Sequence, residues 1–217
     1  MMTPQIKGVT LILPSNSGNK VFHQAKLRFE QHDISDVFTK RNSKSLDETV
    51  YDYRYEHLGD MVYRHYKNSL DEPLGIFLGK LKSRGDMFYK DFLNAYGDST
   101  FCRFKLIDPL NAGKKGLYVF VVNQEVRYIG SCSNQFQKRI TLGHGKILPK
   151  NCYLEGMATD CHLNARIAQE HAEIKFYLLP LESDDEIIQL EHQLIADYAP
   201  TWNFPPQAGL EAQLQLA

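Results

Sequence analysis

Six side chains in the second half of this 217-residue chain have types and spacings that can do chemistry. Tyr118 and Tyr128 stand ten residues apart, each within a short glycine-bearing motif, Gly116-Leu117-Tyr118 and Tyr128-Ile129-Gly130. On two strands joined by a short turn both phenols reach one surface, and Gly130 removes a side chain where a ligand or backbone must come close. By themselves, two tyrosines on a hairpin are more often a cross-strand aromatic pair. Arg139 follows, and a guanidinium there either clamps a phosphate and neutralises developing charge or lies on a wet surface. His144, between Gly143 and Gly145, serves either a site or a loop.

Glu191 comes four residues after Ile187, three before Leu194 and four before Ile195. That spacing sets a carboxylate on the apolar stripe of its helix. Such a group requires a cation, an arginine partner or a proton, because uncompensated burial of an ionised carboxylate is costly. A hard divalent ion such as Mg²⁺, which keeps most of its waters, meets the requirement. So does a salt bridge with Arg166 or Arg139. Asn203, after Pro200-Thr201-Trp202, orients a side chain or a water, or simply ends a helix-exit turn.

Elements must hold these groups. Leu117–Val122 is a continuous apolar, β-branched run and Val126–Ile129 returns after Asn123-Gln124-Glu125, which reads as a β-hairpin. Ser133-Asn134-Gln135 opens a helix through Ile140. Asn164–His171 is a second helix, Ile174–Leu179 a third strand ended by Pro180, and Ser183-Asp184-Asp185-Glu186 a capping box that starts a helix. The buried stripe of that last helix is expected to hold Ile187, Ile188, Leu194, Ile195 and Tyr198, and Ala199-Pro200 stops it. The order predicts an α+β domain, a small sheet flanked by helices.

Before it, Ile6–Pro14 reads as a strand, Val21–Gln31 as a moderately amphipathic helix, and Leu74–Leu81 and Met87–Tyr96 as short helices. The tyrosine-rich stretch 49–66 has an ambiguous period; its rings either close a small core or, beside Arg54, Arg64 and Lys67, meet nucleic acid. Asp108–Gly116 is rich in turn residues and is taken as a domain boundary. The expected organisation is a mixed, mainly helical region 1–112 for DNA binding, specificity or dimerisation, a catalytic domain 113–206 and a tail 207–217.

Composition is that of an ordinary globular chain, with 43% hydrophobic and 24% charged residues and a net charge of −1. The start lacks a secretory leader and no apolar run is long enough to span a bilayer, so the expectation is a cytoplasmic protein with no membrane partner. Cys102, Cys132, Cys152 and Cys161 lack the tight ligand spacing of a zinc site and read as reduced thiols. Residues 111–217 carry 9 basic and 12 acidic groups, yet no carboxylate lies between Glu125 and Glu155. That interval holds Arg127, Lys138, Arg139, Lys146 and Lys150, either a local positive field for phosphates or a solvated basic loop.

The two glycine–tyrosine motifs resemble the two-part signature of the GIY-YIG nuclease superfamily, with Leu117 for the middle isoleucine. Arg139, eleven residues after Tyr128, and the Glu191–Ile195 helix followed by Tyr198, Pro200 and Asn203 resemble that family's helix arginine, metal glutamate and closing asparagine. The resemblance spans about residues 115–204. It implies single-metal hydrolysis of a DNA phosphodiester. In that reading Glu191 holds Mg²⁺ or Mn²⁺, Arg139 adds positive charge, Tyr128 orients water or phosphate, His144 matches a position often occupied by His or Tyr, and Tyr118 is the general base. A free phenol titrates near 10, so nearby cations would have to lower it.

The run His162-Leu163-Asn164-Ala165-Arg166-Ile167, with His171 beyond, resembles a helix of the type II restriction enzymes built on this domain. Lys138, Lys146, Lys150, Asn164 and Arg166 are accordingly expected to contact double-stranded DNA. The resemblance implies a restriction-like or mobile-element endonuclease, with a homodimer by analogy to enzymes that cut both strands. A non-cleaving DNA-binding or regulatory protein that retains the fold, and a structure-specific repair nuclease, are the alternatives.

Overall fold

The computed structural model describes residues 3–204. The expected tail 207–217 and the last two residues of the expected catalytic domain lie outside the described residues. In chain order the elements are β1 (Gln5–Lys7), β2 (Thr10–Leu13), β3 (Lys20–Ile34), α1 (Leu46–Val50), α2 (Gly59–His65), α3 (Leu74–Ser83), β4 (Phe101–Ile107), β5 (Gly116–Val122), β6 (Glu125–Cys132), a π-helical segment Lys138–His144, α4 (Ala158–Glu170), β7 (Ile174–Pro180) and α5 (Asp184–Tyr198). The architecture is α+β: one curled antiparallel sheet in the order β1-β2-β3-β7-β5-β6, with β4 paired to β3.

The helix expected over Val21–Gln31 is instead the 15-residue β3. Ala25, Leu27 and Phe29 alternate and line one sheet face, while Phe22, of opposite parity, packs on the other. Their partners are distant in sequence: β3 pairs with β2 and β7 through its first half and with β4 through its second. A local amphipathic period therefore loses to long-range pairing. Strand β4, which no local reading identified, is bonded along this same β3.

The hairpin expected from the sequence forms. Asn123 and Gln124 both take positive φ, 50° and 67°, between the paired Val122 and Glu125. Two left-handed central residues are what a tight two-residue hairpin turn requires, since its twist matches that of the strands. Helix α5 begins where Ser183 Oγ accepts the Glu186 N–H, with three acidic residues in the first turn. Its buried stripe is Ile187, Leu190 and Leu194, whereas Ile188, expected inside, is 51% exposed.

The sheet carries a core on each face. Tyr118, Phe120 and Val122 pack with Phe136, Ile140, Leu163, Ile167 and Trp202 on one side; Leu117, Val119, Val121 and Ile129 pack with α5 on the other. A third core, formed by α1–α3 and their connections, takes in Cys152, Tyr153, Cys161 and Ala165 from beyond residue 150. The boundary expected at Asp108–Gly116 is thus a connection between two strands of one sheet, and residues 5–34 and 101–107 build that sheet. Only the stretch between β3 and β4 is mainly helical.

The tyrosine-rich segment divides accordingly. Tyr55 is buried and, with Arg41, bonds Glu155, tying the helical part to the later chain. Tyr66 bonds Asp86, while Tyr51 and Tyr53 stand exposed.

Candidate active site

Strand register explains the two glycine motifs. Tyr118 on β5 lies opposite Gly130 on β6, and Phe120 lies opposite Tyr128. The two phenols are therefore diagonal neighbours on one face, with ring centroids 6.0 Å apart. A Cβ added at Gly130 would stand 2.6 Å from the Tyr118 Cζ and hydroxyl oxygen, so only glycine lets that phenol lie across the partner strand. Gly116 has φ +142°, and a Cβ there would meet Leu179 O at 2.1 Å. Both motif glycines are packing requirements.

The π-helical segment delivers the next two groups. Gly145 N–H donates to Ile140 O at 2.7 Å, a bond spanning five residues. In an α-helix, positions five apart diverge by about 140°. The wider i→i+5 turn brings Arg139 and His144 to nearly the same side. His144 Nε2 lies 2.7 Å from the Tyr118 hydroxyl, and Arg139 Nε donates to that same oxygen at 3.4 Å. Three residues from different places in the sequence thus meet on one oxygen.

A fourth group, unforeseen from the sequence, completes this cluster. Asp160 in the first turn of α4 puts Oδ1 2.9 Å from His144 Nδ1 and 3.4 Å from Arg139 Nη1. The two atoms lie at contact distance, although the contact does not meet the geometry of a good Nδ1–H hydrogen bond. In the sequence Asp160 looks like an ordinary acidic residue at a helix start.

These surroundings set the protonation states. Burial, reinforced by Tyr128, pushes the Tyr118 phenol well above its usual range, and Arg139 offsets only part of the shift. Burial also raises Tyr128. The expectation that nearby cations lower the Tyr118 pKa is therefore corrected: the desolvation penalty on a phenolate outweighs one guanidinium. Burial lowers His144 despite Asp160, and Arg139 pushes the same way, so the imidazole is neutral near pH 7. Burial alone would raise Asp160, but His144 and Arg139 overcome it and hold the carboxylate below its usual range.

Glu191 on α5 is half-buried, and its Oε2 accepts the Ser131 hydroxyl at 2.7 Å, one residue past Gly130. Helix α5 packs on the face opposite the tyrosines, but β6 is the sheet's edge strand, where groups from both faces meet. Both tyrosines feel the Glu191 charge. The salt-bridge reading of Glu191 is not realised: Arg139 is engaged by Asp160, and among the described residues Glu191 has no cationic partner. Among the described residues no group of three or more histidine, cysteine or acidic side chains is gathered to hold a metal, so an ion on Glu191 would take one carboxylate and otherwise water.

Asn203 closes the turn that leaves α5, one of its two expected roles, with its N–H donating to Pro200 O at 3.1 Å. Its Oδ1 accepts the Ile129 N–H at 2.9 Å and its Nδ2 donates to Ile129 O at 2.7 Å. With the bond from Trp202 N–H to Arg127 O, this clamps the segment after α5 onto the open edge of β6. Both ends of the amide are thus engaged with backbone. Asn164, expected to touch DNA, is corrected. It is fully buried, with its amide bonded to Cys102 N and O and to His144 O, and it braces the segment that carries His144.

Lys138, Lys146, Lys150 and Arg166 are exposed and make no ion pair among the described residues. Lys146 lines a cleft of about 130 Å³ with Lys40 and Arg103, residues far apart in the chain. His162 Nε2–H donates to Trp202 O at 3.1 Å, and the ring is packed between Tyr96 and Phe204. The four cysteines are buried free thiols, as expected. Among the described residues no helix is long and apolar enough to cross a membrane. No protein-family description, curated protein or solved structure matches this chain.

Proposed function

We propose that this chain is a metal-dependent DNA endonuclease of the GIY-YIG type, hydrolysing phosphodiester bonds of double-stranded DNA in a restriction-like or mobile-element role. The observation that carries the reading is the meeting of His144 Nε2 and Arg139 Nε on the Tyr118 hydroxyl, beside a Glu191 carboxylate without a cationic partner. A buried hydroxyl needs hydrogen-bond partners in any case; what supports a reacting role is that its partners here are an imidazole and a guanidinium.

The protonation states support a defined role for each group. Tyr118 is a neutral phenol at rest and donates its O–H to the neutral His144. As a water attacks phosphorus, its proton passes to the Tyr118 oxygen while the phenolic proton moves to His144 Nε2, so no free phenolate is required. Asp160 favours the resulting imidazolium, and Arg139 sits where it neutralises phosphoryl charge. Tyr128, stacked beside Tyr118, orients water or phosphate. Glu191 would hold Mg²⁺ or Mn²⁺, which supplies Lewis-acid stabilisation of the leaving oxygen.

The test is cleavage of plasmid DNA by the purified protein with Mg²⁺ or Mn²⁺, against a chelator control and the variants Glu191→Ala and Tyr118→Phe. Metal-dependent nicking or linearisation, lost in both variants, is the expected result. Variants that cut like the wild type overturn the site assignment. Binding without cleavage under both metals points instead to a non-cleaving DNA-binding protein.

A further inference from the structure

The Asp160 carboxylate belongs to neither glycine–tyrosine motif nor the glutamate helix, yet it is 5% exposed and touches both groups that converge on Tyr118. A carboxylate so buried must be compensated, and its two compensating partners are the imidazole and guanidinium of the site itself. The tautomer of His144 follows from both sides of the ring. On one side, an anion 2.9 Å from Nδ1 favours the proton there. On the other, Arg139 Nε donates to the Tyr118 oxygen, so the phenolic hydrogen is free to point at His144 Nε2, 2.7 Å away. A phenolic hydrogen pointing there needs a bare Nε2.

We propose that Asp160 is a positioning residue: it keeps the proton of neutral His144 on Nδ1, leaving Nε2 as the acceptor for the Tyr118 hydroxyl, and holds Arg139 against the same oxygen. Its consequence for cleavage rests on the nuclease reading above; its consequence for the imidazole does not. The charged and titratable groups facing His144 are Tyr118 from β5, Tyr128 from β6, Arg139 from its own segment and Asp160 from α4, with the Glu191 charge reaching the two tyrosines. Of the neighbours that act on His144, Asp160 favours its protonation, while burial and Arg139 oppose it. Removing the carboxylate therefore weakens the imidazole as a base.

The experiment is ¹⁵N NMR of the histidine side chains in the full-length protein near pH 7, with His144 assigned by loss of its signals in His144→Gln. The wild type is expected to show a protonated Nδ1 and a bare Nε2. Asp160→Asn, close in size, is expected to give a mixed or reversed tautomer while keeping a cooperative melt. If the wild type carries its proton on Nε2, the proposal is overturned without any variant at Asp160. If the chain cuts DNA, Asp160→Asn should lower kcat by roughly 10²- to 10⁴-fold, the scale seen when a histidine loses its orienting carboxylate, with KM little changed and the acid limb moved to lower pH. An unchanged kcat and acid limb in a folded variant also overturn it. The expected tautomer in a protein that cuts nothing leaves the positioning role standing and removes the nuclease reading; cleavage with the opposite tautomer does the reverse.

Discussion

Gly130 lies directly across the β5–β6 pair from Tyr118, and the phenol occupies the space that any side chain at 130 would need. The close approach is to a ring end already held by His144 and Arg139, so the ring cannot swing away without breaking both contacts. Gly130→Ala is therefore expected to displace Tyr118. Overpacking of this kind costs about 1–3 kcal/mol of stability. A melt should report that loss, and, on the proposed nuclease reading, a plasmid assay should show a fall in cleavage larger than the lost folded fraction explains. Full activity would mean that the phenol position is not critical.

The edge clamp makes a separate prediction about stability. Asn203→Ala removes two backbone-directed hydrogen bonds at Ile129, worth roughly 1–2 kcal/mol together. Denaturant unfolding should show this loss, and hydrogen exchange should quicken at Ile129. A variant that lost activity with unchanged stability and exchange would restore Asn203 to the reacting centre.

Helix α5 ends with Ala199 in the left-handed region at φ 44°, its N–H bonded to Ile195 O. Glycine adopts that conformation without the steric penalty of a Cβ. Ala199→Gly should raise stability by about 0.5–1 kcal/mol at a site that leaves Glu191, two turns earlier, in place. Chemical denaturation measures it; a destabilised variant would contradict the cap geometry.

Stability should fall as pH drops from 7 towards 5.5. His144 and His162 both have pKa values below the ordinary 6.5 because burial disfavours their charged forms. Below that value the unfolded chain binds protons that the folded chain refuses, so the loss begins near 6.5 and grows until the lowered folded values are reached. Melting temperature across this range should flatten in His144→Gln and again in His162→Gln. A slope insensitive to both variants would place the titrating groups elsewhere.

If the cleft lined by Lys40, Arg103 and Lys146 carries DNA phosphates, these residues set the salt dependence of binding. Each lost phosphate contact reduces the slope of log K against log salt by about 0.9. Binding of duplex DNA without divalent metal, followed from low to moderate salt, should give a triple alanine variant a slope smaller by about 2–3. An unchanged slope removes this cleft from the DNA path.

The β5–β6 hairpin, β7 and α5 were legible in the chain because their signals are local: β-branched runs, turn residues and a serine followed by acidic residues at a helix start; the single strand expected over Ile6–Pro14 is instead the pair β1 and β2. Residue type and spacing singled out Tyr118, Tyr128, Arg139 and His144, which the fold brings together, and Glu191, which bonds Ser131 instead. The sequence could not show that Val21–Gln31 is a strand, since its alternation is outweighed locally and its partners lie up to about 150 residues away. Nor could it show Asp160 under His144, or that Asn203 and Asn164 turn their amides to backbone, because such contacts depend on which distant surfaces pack. The sequence by itself determined the hairpin and its residue types; in a regular hairpin with this two-residue turn the two phenols would stand on opposite faces, and the bulge between Phe120 and Val121 shifts the register by one and brings them to the same face. Only the tertiary structure decided that one of them would be met by an imidazole and a guanidinium, because a π-turn, a buried carboxylate and a side-chain-free strand position coincide in space and nowhere in sequence.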